Sequence, residues 1–319
     1  MYRSRRVNRI DRTNYGSLTI VKKRPELGIV ITPPRKAVDE FYWNPSITRH
    51  KGELYVSLRG YTVDSTIWGH WRSTLAVGRL VGDELVDLRV LIPEVADDVN
   101  SNRLEDVRIW SDGKDLWAVG NHLSNAKGRI NQEQAEALID FENSTYKITT
   151  RFGNPMGKPE KNWSPIEEQP HMYLHSIGTI AKDGWIKAVD NRTDAIESVH
   201  NGTPLVKTKY GYIGVFHQRT RLGVDHRYGN IFIKFDDDLK PIEQSEWFIF
   251  GDEGHQEVQF MSGAVLLDDD TLAITLGIDR ISARTPADYK GLLYKVKLDD
   301  IEFHAFDYDN LVIRRGRLE

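Results

Sequence analysis

The chain has 319 residues, of which 39% are apolar and 28% are charged, so it is long enough to bury a large core. Its net charge of -4 argues against a general nucleic-acid or membrane-binding surface, and its lack of cysteine excludes disulfides and thiolate metal sites. No segment approaches the roughly 18 apolar residues of a membrane span, and no apolar signal core is present. The sequence therefore predicts a cytoplasmic protein.

Both ends of the chain are rich in arginine. We interpret residues 1–14 as a basic arm and residues 314–319 as a basic tail, both solvated. A second hypothesis is that the two ends bind an anionic acceptor, such as nucleic acid or a phosphorylated glycan. The arginines concerned are Arg3, Arg5, Arg6, Arg9, Arg12, Arg314, Arg315 and Arg317.

Between these ends, short apolar or alternating runs separated by Gly and Asp turns predict strands. The one helix-friendly stretch, Asn131–Ile139, is short. In chain order, a hairpin of one type recurs five times, with a small residue or proline, an apolar strand, a turn and a second apolar strand. The copies are Pro45–Gly60, Asp106–Asn121, a degenerate Trp163–Ile177, Thr203–His217 and Gly263–Ile278.

A second strand pair follows the hairpins, as in Ser73–Ile92, Gly229–Phe250 and Gly291–Phe306. About four strands in each of five units predict an all-β fold, a five-bladed β-propeller formed as one domain by residues 15–313. The spare N-terminal strand Tyr15–Lys23 is expected to complete the last blade. A two-sheet sandwich is the alternative, but it does not explain the regular recurrence.

Polar residues at the entries to the innermost strands of a propeller meet at one end of its axis. The sequence therefore predicts a funnel that holds a few carboxylates among many cations. Its expected members are Asn44, Arg59, Glu105, Asp106, Arg108, Lys161, Asn162, Asn201, Gly202, His217, His226, Arg227, Tyr228, Ser262, Gly263, Asp279 and Arg280.

That mixture suits the making or breaking of a glycosidic bond, which needs a carboxyl group to exchange a proton with the bridging oxygen. Arg59, Lys161, His217 and Arg227 could form a cationic cradle for phosphate. One alternative is an inverting glycoside hydrolase, which needs a second carboxylate such as Asp279 or Glu257. The other is a non-catalytic propeller that binds carbohydrate or protein.

The motifs NPSI, LRG, EDVRI and KNWSPI, with the segments 201–217 and 260–279, occur in order along the chain. Together they resemble the five-bladed propeller of the β-mannoside phosphorylases of glycoside hydrolase family 130, and the related mannosyltransferase and phosphorylase enzymes of glycosyltransferase family 108. The resemblance covers residues 41–283. It implies that Asp106 is the proton donor, Asn44 and Arg59 bind sugar and phosphate, Lys161 and His217 lie on the phosphate side, and Arg108 holds the acid's loop or the sugar.

The chain departs from the family pattern at Val107, where the acid motif has proline, and at residues 201–205, where the family has G-G-A-P-P. KNW, Asp225–Tyr228 and Leu276–Ala283 resemble propeller proteins that accompany glycan-building glycosyltransferases, which favours synthesis. The prediction is an inverting enzyme that uses a sugar or glycan substrate with phosphate or an activated sugar donor. No cofactor is expected, and Mg²⁺ is expected only with a nucleotide-sugar, because metal-ligand spacings such as H-x-x-x-H are lacking.

Overall fold

The computed structural model describes residues 22–24, 29–30, 40–63, 71–94, 103–126, 129–153, 162–183, 185–190, 199–222, 225–250, 257–280 and 290–311. This part of the chain is all-β, as predicted, with a 3-10 turn at Leu298–Asp300 and a four-residue helix, α1, at Tyr308–Leu311. None of the helices in these ranges is long and apolar enough to cross a membrane. The first two strands, β1 (Lys22–Arg24) and β2 (Ile29–Val30), are short and join sheets built by later residues.

The first two units are antiparallel meanders that share one eight-stranded sheet. Their outer strands pair in parallel, with Thr145 opposite Ile92. The helix-friendly stretch Asn131–Ile139 lies in a strand, because Ala135, Ala137 and Ile139 are buried against the core and tertiary packing overrides helix propensity. Unit one is β3 (Glu40–His50), β4 (Glu53–Val63), β5 (Trp71–Val81) and β6 (Glu84–Pro93), and unit two is β7 (Arg103–Ser111), β8 (Leu116–Ala126), β9 (Arg129–Asp140) and β10 (Thr145–Arg151).

Units three, four and five repeat the antiparallel pattern. Unit three is β11 (Ser164–Pro165), β12 (Met172–Ser176), β13 (Thr179–Lys182) and β14 (Trp185–Ala188). Unit four is β15 (Val199–Asn201), β16 (Val206–Thr208), β17 (Gly211–Leu222), β18 (Asp225–Phe235), β19 (Pro241–Ser245) and β20 (Phe248–Phe250). Unit five begins with β21 (Glu257–Leu266), β22 (Thr271–Arg280) and β23 (Lys290–Lys297), and a last strand, β24 (Phe303–Ala305), pairs with β19.

The N-terminal strands differ in detail from the prediction. Of the expected spare strand Tyr15–Lys23, only Lys22 and Lys23 lie in the described ranges, and they belong to β1, which pairs in parallel with β20 of unit four. The fourth strand of unit five is instead β2, because Ile29 and Val30 pair with β23. An apolar run predicts that a segment is a strand, but its partner is decided by long-range packing.

The apolar core is divided among five clusters in the described residues, and each lies between two units that follow one another around the molecule. Tyr55 and Leu75 of unit one pack with Ile109 of unit two. Ile47 and Val56 of unit one also pack with Val265 of unit five, so the last unit returns to the first. The other three clusters join units two and three, three and four, and four and five.

Buried hydrogen bonds reinforce the contact between the last unit and the first. The carbonyl of Pro45 accepts from Ser262 Oγ at 2.8 Å and from Thr275 Oγ1 at 2.6 Å. Beside these bonds, a Cβ added at Gly263 would lie 2.7 Å from Ser46 Cα and would overlap the backbone nitrogen of Ile47. Gly263 therefore allows the first strands of units five and one to approach closely.

We expect Gly263→Ala to destabilise the fold by about 1–3 kcal/mol, because the methyl group meets backbone that cannot move independently. Urea denaturation gives the free energy of unfolding. The control is Gly214→Ala, whose Cβ would meet a Leu205 side-chain methyl at 2.7 Å, and a side chain can shift more easily than backbone. Equal losses in the two variants would contradict the backbone explanation.

Candidate functional site

Three residues at corresponding positions of units one, two and three have left-handed backbone conformations. The φ angles are 47° at Asn44, 50° at Asp106 and 62° at Asn162. In β3 and β7 the strand pairing shifts at these residues, between Trp43 and Ser46 and between Glu105 and Arg108. Asn and Asp are the non-glycine residues that best tolerate this region, and bulges of this kind re-aim side chains near functional sites. We call the region around Asn44 and Asp106, whose side chains contact each other, the mouth.

The positive φ at Asn162 should affect the stability of variants at this position. Asn162→Ala is expected to be about 1 kcal/mol less stable than Asn162→Gly, because a Cβ without a polar group to compensate is disfavoured in the left-handed region. Thermal and urea unfolding of the two variants measure the difference. An alanine variant as stable as the glycine variant would show that the residue has an ordinary extended backbone.

Asp106 is held through one of its two oxygens. Its Oδ1 accepts a hydrogen bond from Asn44 Nδ2 at 2.8 Å and one from Arg59 Nη1 at 2.7 Å. Within the part of the chain that the structure describes, no donor reaches Oδ2. The side chain is 21% exposed, so the carboxylate is partly open to solvent.

The surroundings of Asp106 keep it ionised. Burial alone would raise the pKa of this carboxyl, but the charge and hydrogen bond of Arg59, the hydrogen bond of Asn44 and the charge of Arg108 outweigh burial and lower it. Asp106 is therefore a carboxylate at neutral pH. It can accept a proton from a hydroxyl group that is placed against Oδ2.

A second carboxylate contacts the same arginine. Arg59 Nη2 lies 2.7 Å from Glu105 Oε1, and Ser73 Oγ donates to that oxygen at 2.5 Å. The Arg59 guanidinium also lies over the Trp43 ring, 5.2 Å from its centroid. Both terminal nitrogens of Arg59 thus contact carboxylates. This arrangement was not expected, because the resemblance implied that Arg59 binds sugar and phosphate.

Arg108 is almost completely buried, with 1% of its surface exposed. Its Nε donates to Gly202 O at 2.7 Å and its Nη2 donates to Asn201 O at 3.2 Å, so it links unit two to unit four. A third, longer bond from Nη1 to Asp106 O, at 3.3 Å, holds the backbone of the carboxylate. Burial lowers the pKa of Arg108 to about 10, which leaves it charged at neutral pH. Arg108 therefore connects the backbone of Asp106 to the backbone of unit four.

Three predicted residues of unit four have a described burial, and all three are buried: Asn201, Gly202 and His217. Asn201 Nδ2 donates to Leu174 O at 2.8 Å and to His175 O at 3.1 Å, which joins units three and four. The His217 side chain is buried, with its ring centroid 5.5 Å from that of Phe260. The Arg108 guanidinium lies over the same Phe260 ring at 5.6 Å. Arg108 and His217 therefore pack against the same aromatic ring.

Several predicted residues cannot be placed by their side chains. Lys161 and the arginines of both chain ends lie outside the described residues. His226, Arg227 and Tyr228 lie on β18 opposite Arg221, Thr220 and Arg219 in the strand register, and only their backbone is described. The backbone of Glu257, Asp279 and Arg280 is likewise placed on β21 and β22, without their side chains. Ser262, another expected member, is buried and bonded to Pro45.

Four residues at the mouth were not predicted from the sequence: Trp43, Ser73, Phe260 and Gly277. A Cβ at Gly277 would overlap the Asn44 amide oxygen and lie 2.8 Å from the Asn44 backbone nitrogen, so glycine makes room for Asn44. Trp43 stands directly before Asn44 and Phe260 stands two residues before Ser262, so an aromatic close to these two polar residues was the available signal. Ser73 carried no local signal, because it comes from the third strand of unit one.

No group of three or more His, Cys, Asp and Glu side chains that could hold a metal ion occurs among the described residues. Asp106 and Glu105 face Arg59, and this arrangement of donors around carboxylates fits proton transfer and sugar binding. The phosphate cradle of Arg59, Lys161, His217 and Arg227 stays a prediction, because the side chains of Lys161 and Arg227 lie outside the described residues.

No family model and no curated protein sequence matches the chain. Solved structures do match it. One of them comes from the GH130 family of mannoside phosphorylases, a family described as containing glycoside hydrolases that target β-1,2 mannosidic linkages in Candida mannan. It is 13% identical to this chain and has a TM-score of 0.54, and the match covers 83% of this chain and 91% of that chain. The predicted structural resemblance is thus confirmed.

Two proteins of Leishmania mexicana have the same degree of structural similarity. MPT-4, a mannose phosphorylase seen in complex with a phosphate ion, is 15% identical over 86% of this chain and 89% of its own, with a TM-score of 0.54. MPT-1, a GDP-Man-dependent mannosyltransferase, is 11% identical over 86% of this chain and 91% of its own, also with a TM-score of 0.54. At these identities the similarity establishes a GH130-like fold.

Proposed function

We propose that the five units are the blades of a five-bladed β-propeller formed by residues 15–313, with the active site of a carbohydrate-active enzyme at its mouth. The core clusters between successive units and the return of unit five to unit one support this arrangement. The entries of the first strands then share one end of the axis. Asn44 and Asp106 are already in direct contact there.

We further propose that the reaction is hexosyl transfer with inversion, and that Asp106 is the acid/base. One observation carries this assignment: Asp106 is an accessible, ionised carboxylate with Oδ1 fixed by Asn44 and Arg59, and no donor from the described residues reaches Oδ2. A fixed carboxylate with one open oxygen is suited to proton transfer in a defined direction. Such a group contributes about 10²–10⁴-fold to a rate.

In the direction of synthesis, the oxygen of an acceptor hydroxyl forms a bond to the anomeric carbon of the donor sugar. The bond from that carbon to the phosphate or nucleotide oxygen breaks, and its electron pair leaves with the anion. The hydroxyl proton passes to Asp106 Oδ2 and is then released to the departing phosphate or to solvent. In the reverse direction phosphate attacks, and Asp106 returns a proton to the bridging oxygen. Attack from the face opposite the leaving group inverts the centre.

We assign the leaving anion to Lys161 and Arg227 rather than to Arg59. The Arg59 charge is already opposed by Glu105 and Asp106, whereas phosphate needs cations that are not neutralised. His217 is buried beside Phe260, so its proposed part is to border this subsite. No metal is required by this proposal, except for Mg²⁺ carried by a nucleotide-sugar donor.

Glu105 and Asp106 are poorly placed to act as the carboxylate pair of an inverting hydrolase. Such enzymes need carboxyl groups about 6.5–9.5 Å apart, with room for the sugar and a water between them. Here both carboxylates contact the same guanidinium, so the guanidinium of Arg59 occupies the space that a sugar and a water would need. Hydrolysis would therefore require Glu257 or Asp279 as the water-activating base.

The test is a donor and acceptor panel with a defined stereochemical readout. Mannose is the first sugar to test, because MPT-4 is a mannose phosphorylase and MPT-1 is a GDP-Man-dependent mannosyltransferase. The donors are α-mannose 1-phosphate and GDP-mannose, and the acceptors are mannose and mannobiose. Each combination is assayed once with EDTA and once with Mg²⁺. Mass spectrometry detects the product and NMR its anomeric configuration. A β-linked product that Asp106→Asn does not form is expected. Sugar release in water without phosphate would establish hydrolysis instead, and binding without turnover would establish a binding propeller.

A further inference from the structure

Arg59 at the mouth is a cation whose charge is balanced by two carboxylates. Its Nη1 lies 2.7 Å from Asp106 Oδ1 and its Nη2 lies 2.7 Å from Glu105 Oε1, while only 12% of its side chain is exposed. Glu105 is 15% exposed, so this pair is only partly screened by water. An anion that approached Arg59 would meet the two carboxylates that already pair with it.

The position of Glu105 is itself fixed. Ser73, a buried residue of β5, donates its hydroxyl to the same Glu105 oxygen that contacts Arg59. Trp43 lies against the guanidinium, with 5.2 Å between Arg59 Cζ and the centroid of the ring. Glu105 therefore cannot release Arg59 to a ligand without breaking two short contacts.

We infer that Glu105 is a specificity-determining residue, which neutralises Arg59 so that the subsite around Asp106 accepts a neutral, hydroxyl-bearing sugar ring and rejects phosphate. The inference deepens the proposed function and rests on it, because it names the chemistry of one subsite of the same mouth. It also separates the two ends of the substrate. The ring and acceptor hydroxyl lie at Asp106, and the anion lies beyond the reach of Arg59.

The direct test is the phosphate affinity of Glu105→Gln. Glutamine retains an oxygen that can accept from Arg59 and Ser73, so this change removes the charge and preserves the geometry. Isothermal titration with inorganic phosphate is expected to give a Kd about tenfold lower than in the wild type, which corresponds to about 1.4 kcal/mol. The gain should shrink as salt is raised, because the change is electrostatic.

The matched control is Glu243→Gln. Glu243 also pairs with a cation, Lys234 Nζ at 2.7 Å, but it lies on β19 of unit four, and its replacement changes the net charge equally. Phosphate affinity should be unchanged in this control. An unchanged Kd in Glu105→Gln, or an equal gain in the control, would overturn the inference.

Ser73→Ala provides a second variant that leaves both carboxylates in place. Loss of the serine hydroxyl loosens Glu105, and we expect phosphate to bind about two- to threefold more tightly. A tightening in Ser73→Ala supports the inference even where Glu105→Gln fails to fold, and its absence there would overturn it. The donor and acceptor panel is independent of these titrations. Lack of turnover by the wild type would refute the proposed function, whereas only the phosphate titrations decide the role of Glu105.

Discussion

Asp106→Asn is expected to lower kcat/KM for glycosyl transfer by about 10³-fold, within the range known for loss of an acid/base group. Asparagine is nearly isosteric and can still accept from Asn44 and Arg59, but it cannot take the acceptor proton. Substrate affinity, measured by titration of the donor in the absence of acceptor, should change little. Activity close to that of the wild type would remove Asp106 from the proposed reaction.

The same variant has an expected pH dependence in its stability. The pKa of Asp106 in the folded protein lies below its ordinary value of 3.8, so the ionised carboxylate stabilises the fold above about pH 4. That contribution is lost as the pH falls through the folded-state pKa. The difference in the free energy of unfolding between the wild type and Asp106→Asn should therefore be larger at pH 7 than at pH 3. A difference independent of pH would show that the surroundings of Asp106 do not favour its charged form.

Arg108→Met is expected to cost about 3–5 kcal/mol of stability. Replacing a buried ion by an apolar residue can be neutral when its partner is replaced too, but the partners of Arg108 are backbone carbonyls that remain. The carbonyls of Gly202, Asn201 and Asp106 would lose their donors inside the protein. Urea denaturation measures the loss. Arg108→Lys should recover little, since one ammonium group cannot serve three separated oxygens.

The control for Arg108 is Arg79→Met. Arg79 bonds to Glu53 and Asp87 on the surface of unit one, where water replaces lost partners, and a much smaller change is expected. A similar loss in the two variants would mean that the carbonyls bonded to Arg108 find water or other donors. Arg108 would then be dispensable for linking units two and four.

The repeat of hairpins was readable from the sequence because a strand's alternation and its turns are local properties. The turn at Ser111–Asp115, for example, is fixed by Asp112, whose Oδ1 accepts from the backbone nitrogens of Lys114 and Asp115. Two segments could not be assigned correctly from local pattern, because their strand pairing depends on residues far away in the sequence. Residues 131–139 form a strand because β8 and β10 lie on either side of them, and Ile29 and Val30 complete unit five only because the rest of that unit is folded.

At the candidate site, the sequence identified Asn44 and Asp106 through their place before apolar strands, and the structure brings them within 2.8 Å. It could not predict that Arg59 is shared by Glu105 and Asp106, since that depends on the register between β3 and β4 and on the packing of unit one against unit two. Ser73 could not be found at all from local pattern.

The sequence by itself thus determined the strand class and the recurrence of the hairpins, because hydrophobic period and turn chemistry act over a few residues. Only the tertiary structure decided which polar groups contact one another and which are buried. Charges that are far apart in the chain, such as Arg59 and Asp106, interact with a strength that depends on their distance and their dielectric surroundings, and both are set only when the units pack.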